Sequence, residues 1–130
     1  MKPVFPILQI ELLDWELELI AELIRFDSIY YSNDFKFYDT YIANKQFLDS
    51  EGRIFVANEM LEKQDFLSKI GIRKRNQILF EYTNADWKFD DAKRFIVSRV
   101  STLSDADIKN DWVEALNEAE TIKQLIEAQR

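Results

Sequence analysis

The side chains available for chemistry in this sequence are carboxylates, lysines, tyrosines and serines, because it contains neither histidine nor cysteine. Ser-His-Asp and Cys-His devices, disulfides and the usual zinc sites are therefore excluded. In "NADWKFD", Asp86 and Lys88 form an acid-x-lysine pair. With an upstream acid such as Asp65, that pair has the oxygen ligands and cation of a metal-assisted nuclease or hydrolase. Such triplets are common by chance, and nothing in the sequence ranks its many carboxylates into the facing pair a glycosidase needs. Gly52 and Gly71 stand isolated, so there is no glycine-rich phosphate loop. No cofactor, metal site or catalytic residue is expected.

Binding chemistry is better represented. The stretch "FDSIYYSNDFKFYDTYI", residues 26–42, places seven aromatic side chains and three aspartates in its first sixteen residues. Tyrosine offers rigid apolar area together with a hydroxyl, and neighbouring aspartates attract a basic partner. Tyr30, Tyr31, Asp34, Tyr38 and Asp39 are the candidate partner-binding residues, with the three tyrosines expected to be exposed. The bland reading, that most of these rings are core, carries slightly more weight. A second candidate is the basic turn "GIRKRNQ", with Arg73, Lys74 and Arg75 beside Lys69. It would suit a phosphate backbone or an acidic protein, but such a cluster is more often a solvated turn.

Charge bears on the choice between them. The 130-residue chain carries a net charge of −7, unevenly spread. Residues 1–62 hold 12 acids against 5 bases, residues 63–99 hold 5 against 9, and residues 100–130 hold 7 against 3. Phosphate binding is driven by lysine and arginine contacts, so an acidic balance argues against nucleic acid as the general partner. The chain is 47% hydrophobic with only two glycines and two prolines, which is the composition of a folded domain. Its length suits one domain. The short apolar run after Met1 is broken by Pro3 and Pro6, so no secretory signal or membrane span is expected, and the reading is cytoplasmic.

The elements that must position these residues are read from periodicity. Leu8, Leu12, Trp15, Leu19, Leu23 and Phe26 form one apolar row at helical spacing, which predicts a long N-terminal helix with Glu16 as a misfit inside its apolar arc. The alternation in "FKFYDTYIA" predicts a strand over 35–42. Asp49-Ser50-Glu51-Gly52 is turn chemistry and predicts a β-hairpin with arms 45–49 and 53–57. "NEMLEKQDFLSKIG" reads as a short helix capped at Gly71, and "NQILFEYTN" is ambiguous but tips towards a strand over 76–83. Ala92, Ile96, Val100 and Leu103 predict a helix with Asp90 and Asp91 at its positive end. A last helix is expected from Ser104, with Ile108, Trp112, Ala115, Ala119, Ile122 and Ile126 along one seam. That seam serves the domain's own core or, less readily, a homodimer.

Together these signals predict a single α+β domain over 1–130: a small, mostly antiparallel sheet of three to four strands packed by a long N-terminal helix and C-terminal helices. The functional expectation is a small acidic interaction protein that inhibits a basic or nucleic-acid-acting target, of the bacterial or phage immunity-protein or anti-defence type, with a protein partner and no membrane. The alternatives are a carboxylate-dependent, metal-assisted hydrolase or nuclease and an assembly module dimerising through its terminal helices.

Overall fold

In the computed structural model the described residues are 1–12, 15, 20, 24–27, 36, 38–63 and 75–129, those at 59–63 and 75–77 by their backbone alone. Five strands form one antiparallel sheet: β1 (Ile7–Gln9), β2 (Arg25–Phe26), β3 (Gln46–Leu48), β4 (Arg53–Lys63) and β5 (Arg75–Asp86), in the order β2-β1-β3-β4-β5. Three helices follow the strands in the chain: α1 (Phe89–Val100), α2 (Ala106–Glu118) and α3 (Ile122–Glu127).

The expected hairpin is present. The Gly52 N–H donates to the Asp49 carbonyl at 3.1 Å, and the Asp49 N–H donates to the Arg53 carbonyl at 2.9 Å. Gly52 has φ +88°, and a Cβ there would stand 2.5 Å from the Trp87 carbonyl oxygen, so the turn requires glycine for both its conformation and its packing. The strand expected over 76–83 is also present, within the longer β5.

Cross-strand pairing orders the core. Leu8 pairs with Leu48 and Leu48 with Ile54, placing three wholly buried aliphatic residues in a row on one face of the sheet. On the other face Phe47 meets Phe26 and Phe80 at 5.4 Å each, and Phe55 meets Tyr82 at 5.5 Å. Such ring pairs stabilise beyond their buried area. Apart from Phe55, the described buried hydrophobic residues of strands and helices belong to one cluster.

The C-terminal helices begin where their sequences provide caps. The Asp91 carboxylate accepts from the Lys88 N–H at 3.4 Å, Asp105 accepts from the Ile108 N–H at 3.0 Å, and Thr121 Oγ1 accepts from the Gln124 N–H at 3.2 Å. Ala92, Ile96, Val100 and Leu103 are buried as the spacing predicts. The helices pack on one another, and the Phe95 ring of α1 lies 5.2 Å from Trp87 and 6.3 Å from Trp15. None of the described helices is long and apolar enough to cross a membrane.

Five expectations need correction. The stretch read as a long N-terminal helix starts in β1 and ends in β2, because residues 7–9 pair with both 25–26 and 46–48; of the intervening residues, Trp15, Ile20 and Ile24 are buried and most of the others lie outside the described set. With those two strands the sheet has five members rather than three or four. Residues 58–63, read as the start of a short helix, continue β4 against β5; Gly71 lies outside the described residues. Residues 38–42 form a single π-helical turn in place of a strand, which puts Tyr38 and Ile42 together on the buried side. The last helix starts at Ala106 with Asp105 as its cap, not Ser104, and breaks at 119–121, so the expected seam is divided between α2 and α3.

Candidate functional site

The site is built from the hairpin turn outwards. The Asp49 side chain is fully buried, and its carboxylate accepts five hydrogen bonds. Oδ1 receives the Glu51 and Arg53 N–H groups at 2.9 Å each. Oδ2 receives Arg53 Nε at 3.0 Å, Arg53 Nη2 at 2.8 Å and the Val4 N–H at 3.0 Å. The hydrogen bond to Asp49 holds the Arg53 guanidinium above its ordinary pKa. Ser50 adds two further ties, its N–H donating to the Val4 carbonyl at 3.0 Å and its hydroxyl to the Pro6 carbonyl at 2.7 Å. The N-terminal segment is thereby fixed beside the sheet.

That segment forms one wall of a groove of about 780 Å³, within the size range of ligand pockets. Met1, Lys2, Pro3 and Phe5 line it on one side and residues 78–82 of β5 on the other, with Asn58 and Asn84 completing the described lining. Met1 and Val4 are two of the few large apolar side chains left exposed in the described structure. One carboxylate lines the groove, Glu81, whose Oε2 accepts from Asn58 Nδ2 at 2.9 Å; the Tyr82 hydroxyl, also in the lining, donates to Asp86 Oδ1 at 2.6 Å. The exposed lining is mostly apolar, with Lys2, Asn58, Glu81, Tyr82 and Asn84 supplying its polar groups.

The bond to Asp86 raises the Tyr82 phenol above its ordinary value of 10, with burial adding to the shift. The folded state therefore holds this proton more tightly than the unfolded chain. The resulting stabilisation is fully present below about pH 10 and is lost as pH rises through the folded value. Subtracting the phenolate absorbance titration of Tyr82→Phe from that of the wild type isolates this midpoint. We expect it above that of free tyrosine and lowered by Asp86→Asn; an unshifted wild-type midpoint would contradict the hydrogen bond.

The sequence-derived candidates are only partly brought together. Tyr30, Tyr31, Asp34, Arg73 and Lys74 lie outside the described residues, as do Glu16 and Asp65. Tyr38 is 5% exposed and part of the core, against its expected exposure, because the π-helical turn points it inward with Ile42. Asp39 is exposed on the other side of that turn, near Tyr41. Arg75 opens β5, its backbone paired with Lys63. Asp86 and Lys88 are both exposed, and among the described residues no three carboxylates are grouped as a metal site requires. On α1, Arg94 pairs with Asp91 at 3.8 Å and Arg99 lies 4.8 Å over the Phe95 ring, so these two bases are engaged within their own helix.

The groove escapes sequence reasoning because its two walls are far apart in the chain. The Asp49–Arg53 pair was open to it, since turn aspartates and an arginine just across the hairpin commonly meet. Comparison of the chain with protein-family models, curated proteins and solved structures yields no match.

Proposed function

We propose that the chain is a small acidic interaction protein that acts by binding another polypeptide, in the specific form of an inhibitor of a basic or nucleic-acid-acting target, as immunity proteins and anti-defence factors are. The observation that carries this reading is the mostly apolar groove between the N-terminal segment and β5, whose lining includes the Glu81 carboxylate, oriented by Asn58. A concave, mostly apolar site with a few convergent polar groups is the usual form of a binding site. The net charge of −7 favours a basic partner, by speeding encounter and rejecting acidic competitors. α2 adds to this balance, with Asp107, Asp111, Glu114 and Glu118 all exposed along one side of the helix. Asp39 remains available to the same kind of partner.

The test is capture from the source cells with the wild-type chain and with Leu79→Lys/Glu81→Lys, after thermal melts show that both fold. A basic polypeptide held by the wild type and released by the variant is the expected result. Retention of the same proteins by both, or of acidic ones, would overturn the reading.

A further inference from the structure

We draw no further inference here: the strongest candidate, the groove between the N-terminal segment and β5, belongs to the site already described, and nothing in the structure shows what covers it.

Discussion

Asp49→Ala is expected to destabilise the fold by about 3–5 kcal/mol, the loss typical when one member of a buried ion pair is removed. The carboxylate is fully buried and the Arg53 side chain only 18% exposed, so solvent has little access to replace what is lost. The substitution leaves the guanidinium only the exposed Glu51 carboxylate at 3.5 Å and removes the acceptor of three backbone N–H groups, those of Val4, Glu51 and Arg53. Each buried donor left without an acceptor carries its own desolvation penalty. Asp49→Asn keeps part of the acceptor capacity and should fall between alanine and the wild type. Urea unfolding of the three proteins checks this as an ordered shift of midpoint at unchanged slope. A loss below about 1 kcal/mol for alanine would place the carboxylate in contact with water.

Trp112→Ala should cost about 3–5 kcal/mol, and Leu12→Ala only about 1–2 kcal/mol. Periodicity alone makes the two residues equal anchors, but the structure ranks them: Trp112 is 8% exposed within the core cluster, whereas Leu12 is a half-buried residue packed on its margin. The same unfolding measurement decides the order. Equal losses, or a larger one at Leu12, would mean that the N-terminal stretch contributes more to the core than its described burial indicates.

The C-terminal half and the hairpin were legible because their signals are local. Asp49 and Gly52 shape their own turn, and Asp105 caps its own helix. The break at 119–121 was legible too, in retrospect, since Thr121 with Gln124 three positions on is capping chemistry, and Gln124 Oε1 accepts from the Glu120 N–H at 2.7 Å. β1 was not. "ILQIELL" satisfies helical and strand periodicity alike, and the choice is made by its pairing with Phe47 and Leu48. The extension of β4 into residues 58–63 is likewise imposed by β5, over helix formers such as Glu59, Met60 and Leu61. At 38–42 the alternation of aromatic and polar residues pointed to a strand, while the spacing of four between Tyr38 and Ile42 fits one side of a helical turn. The groove was legible only in part: β5 could be read, but the approach of Met1 to Phe5 depends on a bond spanning 45 positions.

The position of β1 between β2 and β3 also sets an order in time. The helices are contiguous in the chain and β4 and β5 are joined as a hairpin, so their contacts close short loops. β1 must wait for residues 46–48, and closing so long a loop carries an entropic cost that local contacts avoid. During synthesis the apolar strand made first therefore remains without its β3 neighbour while some forty further residues are added, and the Val4–Asp49 bond forms only after that. Pulse-labelled hydrogen exchange during refolding should protect the amides of β4 and β5 before those of Leu8 and Gln9. Until β1 docks, the N-terminal wall of the groove is missing, so the groove is completed by a late folding event and is absent from partly folded chains.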